Sequence, residues 1–179
     1  VAGELHHVLM RGHNGHAVFA DDEDRAAFVD LLREPAARQG VLIHAYALLT
    51  TEVHLLVTPR EADALARLMQ SIGRRYVALF SRRHARRGTL WDGRFRTSLL
   101  DAKTFLLQAI LHIEALPVRT GLVTAAHDWR WSSAAHYSGH RRDPLVTDHA
   151  LYWRLGNTPF ERERAHALAL DKSQQEADD

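Results

Sequence analysis

The chain of 179 residues contains no cysteine. This absence excludes a disulfide framework, a cysteine-ligated zinc site and a cysteine nucleophile. No apolar run approaches the roughly 18 residues that a membrane-spanning helix needs, and Val1–His7 lacks the pattern of a signal peptide. We therefore expect a cytoplasmic protein without a membrane partner, and the length suits one domain with a hydrophobic core.

Lysine is nearly absent, and the arginines that replace it are unevenly distributed. Of the 23 basic residues, only Lys103 and Lys172 are lysines. Nine arginines lie between Arg67 and Arg96, where Asp92 is the only acidic residue. The net charge of +1 therefore conceals a strongly basic stretch, which favours a surface that binds phosphate groups.

Hydrophobic periodicity and turn signals predict four strands and several helices. Strands are expected at 4–11, 41–49, 51–57 and 96–100, and long helices at 22–39, 62–86 and 102–115. A loop is expected over 117–122, followed by short helices that end near residues 137 and 155 and a final helix that begins at 159. We divide the chain into a domain over 1–140 and a helical extension over 141–179.

The predicted strand over 51–57 contains a possible pair of metal ligands. Glu52 and His54 lie on the same face, because side chains alternate along a strand. A carboxylate beside an imidazole could hold a divalent metal. The alternative is an edge glutamate and a histidine that packs under a helix, and two residues alone do not separate these interpretations.

The predicted helix over 62–86 has two different faces. Its apolar positions form one stripe, and its arginines lie on another side. The following loop interleaves aromatic and basic residues, a pattern typical of proteins that bind single-stranded nucleic acid by stacking and charge. The alternatives are a solvated helix face and, for Trp91, a role as an anchor in the core.

The helix over 102–115 places one histidine near its buried face. His112 lies seven residues after Phe105, so it faces inwards or lies at the edge of the buried face. Leu116 shares this side if the helix continues. A histidine in such a position is more often a core residue than a catalyst.

Several segments occur together in an order and spacing that resemble one known family. They are His7-Val8 with Arg11-Gly12, Ala45-Tyr46 followed by Val53-His54-Leu55-Leu56, Leu90-Trp91-Asp92-Gly93-Arg94-Phe95, Ile113-Glu114 with Pro117-Val118-Arg119-Thr120-Gly121-Leu122, and Trp131-Ser132-Ser133. On these segments the chain resembles the REP-associated tyrosine transposases, which are single-tyrosine HUH transposases. The resemblance covers about residues 5 to 137.

The resemblance implies an α+β fold, with a ferredoxin-like antiparallel sheet, helices packed on one face and C-terminal helices. It also implies metal-assisted cleavage and rejoining of single-stranded or hairpin DNA. In the family, two histidines separated by one apolar residue, together with an Asn or Gln, hold Mg²⁺ or Mn²⁺, which polarises the scissile phosphate. A tyrosine on the same helix as the Asn or Gln attacks that phosphate.

The chain departs from the family at these positions. Glu52 replaces the first histidine of the motif, His112 replaces the tyrosine and Leu116 replaces the third ligand, whereas His54 is retained. In one interpretation cleavage is lost and DNA binding remains. In a second, Glu52 and His54 hold Mg²⁺ or Mn²⁺ and His112 is the nucleophile or base. In a third, the chain is an interaction domain that does not bind DNA.

For the DNA-binding interpretation we expect a specific set of contacts, and we leave open whether the protein is a monomer or a homodimer. Arginines would contact phosphates, the aromatic residues would stack on bases, and an asparagine in the turn after the first strand would contact a base edge. These residues are Arg11, Asn14, Arg74, Arg75, Arg82, Trp91, Arg94, Phe95, Arg96 and Arg119.

Overall fold

A computed structural model describes residues 1–156 and 158–178 of the chain. Its strands are β1 (Leu5–Arg11), β2 (Val41–Leu48), β3 (Glu52–Pro59) and β4 (Arg96–Leu100). They form one antiparallel sheet in the order β2-β3-β1-β4. The helices are α1 (Asp22–Gln39), α2 (Ala64–His84), α3 (Ala102–Arg119), α4 (Ala134–Tyr137) and α5 (Pro159–Asp178), with 3₁₀ turns at His13–Gly15, Ala126–Asp128 and Ala150–Leu155.

Helix α1 begins and ends at residues with clear local causes. The Asp21 carboxylate accepts a hydrogen bond from the Asp24 N–H at 3.0 Å, which satisfies one free donor of the first turn. Gly40 ends the helix in the left-handed conformation, with φ of 72°, which glycine adopts without steric cost. Pro35 does not interrupt the helix. The residues at its two ends therefore determine where the helix begins and stops, and the proline inside it does not.

The first hydrophobic core lies between one face of the sheet and helices α1 and α2. Val53 and Leu55 of β3 point into this core. They meet an aromatic group in which the Tyr76 ring lies 5.2 Å from Phe28 and 6.0 Å from Trp91. These tilted and edge-to-face contacts are the arrangements that aromatic rings prefer. Trp91 therefore links the loop before β4 to the centre of the protein.

The second core lies on the opposite face of the sheet, beneath α3. Leu106, Ile110 and Ile113 pack there against Ala47 and Leu56, which alternate with the residues of the first core. The predicted α+β class with a four-stranded antiparallel sheet and helices packed on it is confirmed. We expected the helices on one face of the sheet. Helices α1 and α2 pack on one face, whereas α3 packs on the other.

Helix α3 is longer than the sequence pattern predicts. We expected a loop from Pro117, because proline lacks the N–H that an interior helical bond requires. The helix instead continues to Arg119. Its last turn closes with a hydrogen bond from the Thr120 N–H to the Leu116 carbonyl at 2.9 Å, so the helical bonding resumes after the proline. The extension places Leu116 and Arg119 on α3.

The residues after α3 cover the outer edge of β2. The Leu48 N–H donates to the Trp131 carbonyl at 2.8 Å, and the Thr147 N–H donates to the Ile43 carbonyl at 2.7 Å. These bonds satisfy groups that an edge strand would otherwise expose. The boundary proposed at residue 140 stays a prediction. None of the helices in the described part of the chain combines the length and hydrophobicity that crossing a bilayer requires.

A buried polar network joins α5 to α3. The Glu114 carboxylate is fully buried and accepts hydrogen bonds from the Ser133 hydroxyl at 2.8 Å and from His166 Nε2 at 2.7 Å. His166 is also fully buried, and its Nδ1 lies 2.7 Å from the Tyr152 hydroxyl. Both carboxylate oxygens and both ring nitrogens therefore have partners, which is the condition for burying such groups at acceptable cost.

We predict that His166→Leu lowers the free energy of unfolding by about 3–5 kcal/mol, because it leaves Oε2 of the buried Glu114 carboxylate without its histidine partner. Leu168→Ala, at an exposed position of α5, is the control and should have little effect. Replacing both Glu114 and His166 by leucine should recover much of this stability. Chemical denaturation followed by circular dichroism measures each value, and equal effects of His166→Leu and the control would contradict the prediction.

Candidate functional site

The candidate site lies on the face of the sheet that α3 covers in part. In the pairing of β1 with β3, Leu9 lies opposite His54 and Arg11 lies opposite Glu52. Paired residues share a face, and so do residues two apart on one strand. His7, Arg11, Glu52 and His54 therefore all point to the same side. His112 approaches from α3, with its ring 6.5 Å from the His7 ring.

A chain of polar contacts connects these side chains. His54 Nε2 lies 2.8 Å from Glu52 Oε2, and a carboxylate can only accept, so this nitrogen carries the proton. His54 Nδ1 is then unprotonated and accepts a hydrogen bond from His7 Nε2 at 3.0 Å. Arg11 Nε lies 3.2 Å from Glu52 Oε1. The contacts fix the orientation of His54 and place a guanidinium beside the glutamate.

The three histidines of this site, His7, His54 and His112, all have lowered pKa values. Burial, together with smaller contributions from the neighbouring His54 and His112, lowers the pKa of His7 to about 4. Burial also lowers the pKa of His54, against the opposing effect of Glu52. The pKa of His112 is lowered by partial desolvation and by the Arg119 charge. The imidazole cluster is therefore neutral at neutral pH.

The residues present do not fit the Mg²⁺ or Mn²⁺ that the family resemblance implies. Both His54 nitrogens are engaged in hydrogen bonds, and the Glu52 charge is compensated by Arg11. Leu116 offers no donor atom. Among residues 1–156 and 158–178, no group of three His, Cys, Asp or Glu side chains could hold a metal ion, whereas Mg²⁺ requires several oxygen ligands in octahedral geometry.

No tyrosine is available at this site. The four tyrosines are all at least 96% buried, and each hydroxyl has a hydrogen-bond partner elsewhere in the protein. Burial raises the pKa of all four hydroxyls, which opposes formation of a nucleophilic phenolate. They are Tyr46, Tyr76, Tyr137 and Tyr152.

The arginines predicted to contact DNA separate into two groups. Arg74, Arg75 and Arg82, which we call the α2 arginines, are exposed on a helix that packs on the other face of the sheet. Arg96 lies opposite Leu9, so it points to the same side as Arg11. The structure thus places Arg11 beside Glu52, Arg96 on the same face but on the far side of β1 from β3, and Arg119 on α3 where its charge acts on His112. The α2 arginines are not part of this group. Arg94 is exposed in the loop before β4.

The structure places Trp91 in the first core. Only 9% of its surface is exposed, and its ring packs against Phe28 and Tyr76, which favours the alternative interpretation of a core anchor over stacking on a base. Phe95 is partly buried against the same core. Asn14 is exposed in the turn after β1, with φ of 54°. Its side chain is therefore accessible to a base edge.

His7 is a residue of the site that the sequence interpretation did not select. His7 lies two residues before Leu9 and four residues before Arg11. Because side chains alternate along a strand, all three residues point to the same face, and this spacing could have identified His7 from the sequence. The sequence offered no reason to place this face beside His54, since the register of β1 against β3 is a tertiary feature.

The fold is similar to that of a known DNA transposase. The solved structure of a REP-associated tyrosine transposase bound to a REP hairpin superposes with a TM-score of 0.63 at 16% identity, covering 84% of this chain and 91% of that chain. A candidate transposase from Deinococcus radiodurans gives a TM-score of 0.45 at 22% identity, covering 63% of this chain and 91% of that chain, which is too low to support a conclusion. The resemblance predicted from the sequence motifs is confirmed for the fold.

Comparisons of the sequence alone give no further assignment. No protein-family model matches the chain, and no curated protein matches it.

We predict that the folded state loses stability as the pH falls from about 6.5 to about 4. The pKa of His7 is about 4 in the folded protein against an ordinary value of 6.5, and buried His44 has the same shift. The unfolded chain therefore binds more protons in this window, and acid favours unfolding. Urea denaturation at several pH values should show that the free energy of unfolding depends less on pH in His7→Asn than in the wild type. The exposed His16→Asn should keep the dependence of the wild type, and a result in which both variants do so would contradict the prediction.

Proposed function

We propose that this protein binds single-stranded or hairpin repeat DNA through a transposase fold and no longer cleaves it. The observation that supports binding most directly is the state of the nine arginines between residues 67 and 96. In the described part of the chain, only Arg67 and Arg83 of these nine form ion pairs with acidic residues. A line of uncompensated guanidiniums is suited to a polyanion.

The arginines of α1 provide a contrast that supports the same conclusion. On that helix, Arg33 pairs with Asp30 and Arg38 pairs with Glu34, as expected for a solvated helix face that binds nothing. The α2 arginines have no such partners among the described residues. The similarity of the fold to that of a hairpin-bound transposase supports DNA as the polyanion, with Asn14 and Arg94 as further contacts.

The absence of cleavage is proposed from the chemistry of the altered site. A phosphotyrosine intermediate needs an accessible tyrosine, and the described tyrosines are buried. Metal-assisted attack needs a ligand set, and Glu52 is paired with Arg11 while Leu116 is apolar. The alternative of an active nuclease would need His112 as nucleophile or base without the family's third ligand. The alternative of an interaction domain leaves the unpaired arginines unexplained.

We expect the α2 arginines to contribute to DNA affinity by neutralising phosphates. The variant Arg75→Ala/Arg82→Ala should weaken binding of a labelled hairpin with single-stranded flanks. It should also reduce the slope of log affinity against log salt by about 0.7–0.9 for each phosphate that the variant no longer neutralises. The matched control Arg33→Ala/Arg38→Ala removes the same charge from exposed but paired positions. Fluorescence anisotropy at several salt concentrations measures both quantities.

If the two double variants weaken binding equally, the α2 arginines act only through net charge and the assignment of this surface is wrong. If the wild type binds neither hairpin nor single-stranded DNA at low salt, the proposed function itself is wrong.

We expect no cleavage of labelled single-stranded repeat DNA by the wild type in Mg²⁺ or Mn²⁺, because the tyrosine and two of the ligands are replaced. A variant with Glu52→His, His112→Tyr and Leu116→Asn restores the residue types that the resemblance implies and tests whether the fold can still support the reaction. Product analysis on denaturing gels measures cleavage. Efficient cleavage by the wild type that His112→Ala abolishes would show that an altered site is active.

A further inference from the structure

The end of the sheet at Arg11 combines two arginines with one glutamate. Arg11 forms an ion pair with Glu52, and its side chain remains 46% exposed. Among the described residues its guanidinium makes no hydrogen bond, and Arg96 on the neighbouring strand has no ionic partner. The Asp92 main-chain N–H donates a hydrogen bond to the Arg11 carbonyl at 2.8 Å. Among the described residues, the Asp92 carboxylate forms no ion pair with the Arg11 guanidinium. The donors of Arg96 and the Arg11 donors other than the Nε that faces Glu52 are therefore available to a ligand.

The two arginines are close enough to act on one ligand. Leu9 lies directly opposite Arg96 in the sheet, and Arg11 is two residues further along β1. Such diagonal neighbours are roughly 7–8 Å apart at the backbone and within reach of long side chains. Both project from the same face, so their guanidinium groups can converge above the end of the sheet.

The charges of this site favour an anion over a cation. Arg11 and Glu52 compensate each other, which leaves the Arg96 charge uncompensated, and the neighbouring imidazoles of His7 and His54 are neutral near pH 7. A phosphodiester would neutralise this positive charge. A divalent cation would add to it and would have to displace Arg11 from Glu52.

We propose that Arg11 and Arg96 form a metal-independent phosphate site for nucleic acid, in which Arg96 supplies the net positive charge and Arg11 supplies further N–H donors, where HUH transposases use a divalent ion. Glu52 positions the Arg11 guanidinium, the hydrogen bond from His54 holds Glu52 in place, and the hydrogen bond from His7 orients His54. This inference rests on the proposed DNA-binding function and names a second phosphate-binding surface, separate from the α2 arginines.

The chemistry of arginine suits this role. A guanidinium presents several N–H donors in one plane and matches two phosphate oxygens at once. Pairing with a carboxylate restricts the side chain before the ligand arrives, which lowers the ordering cost of binding. Glu52 thus becomes a positioning residue for Arg11, where the family motif would have a metal ligand.

The first test measures the affinity of a labelled hairpin with single-stranded flanks in EDTA and in Mg²⁺ at equal ionic strength. The wild type should bind equally well in both. Arg11→Ala and Arg96→Ala should each lower affinity about tenfold in both, as expected when roughly one charge-assisted hydrogen bond is removed. Arg33→Ala, which removes a paired arginine from α1, is the matched control and should stay near wild type.

The second test examines the site directly by NMR on the wild-type protein. Titration with the dinucleotide d(TpT) should shift the Arg11 Nε–H signal, and addition of Mn²⁺ should not selectively broaden the imidazole signals of His7 and His54. Selective broadening by Mn²⁺, or tighter DNA binding in Mg²⁺, would overturn the inference.

These outcomes separate the inference from the proposed function. If Arg11→Ala behaves as the Arg33→Ala control while the Arg75→Ala/Arg82→Ala variant still weakens binding, the phosphate site is wrong and the DNA-binding function stands. If the wild type binds no DNA at low salt and d(TpT) shifts no Arg11 signal, both are wrong.

Discussion

The antiparallel register of β1 against β3 is the constraint on which the rest of the structure depends. The pairing of Leu9 with His54 and of Arg11 with Glu52 decides which side chains meet on each face of the sheet. A shift of one residue would send Val53 and Leu55 to the wrong face and the polar residues into the aromatic core. Because both faces are covered, by α1 and α2 on one side and α3 on the other, the register is strongly specified. The ion pair of Arg11 with Glu52 is a consequence of it.

Glu52 of β3 determines the character of the site. The Glu52 carboxylate contacts both the His54 imidazole and the Arg11 guanidinium. The ligand atoms that a metal would need from Glu52 and His54 are therefore bonded to each other. The Glu52 carboxylate and both ring nitrogens of His54 are therefore satisfied by partners within the protein. Because the imidazoles of His7 and His54 are neutral at neutral pH, they add no positive charge that would compete with Arg11 for Glu52.

The C-terminal residues act on the same helix that carries His112. Glu114, two residues further along α3, is bonded to Ser133 and to His166 of α5. A buried carboxylate with both oxygens bonded restricts the position of the helix that contains it. Helix α5 is therefore part of what orients α3 over the sheet, although it lies outside the segments on which the family resemblance rests.

Much of the fold and part of the site followed from local sequence. Periodicity and capping located the four strands and three long helices, since these signals depend on neighbours within a few residues. The motif order indicated the fold, and it drew attention to Glu52, His112 and Leu116. Helix α3 was the main error in boundaries, because Pro117 is tolerated near its end. Only the tertiary structure decided that Trp91 is buried, that His7 joins His54, and that Arg11 faces Glu52 while the α2 arginines lie elsewhere. Those contacts join residues far apart in the chain, and their distance is set by strand register and helix packing, which no local pattern encodes.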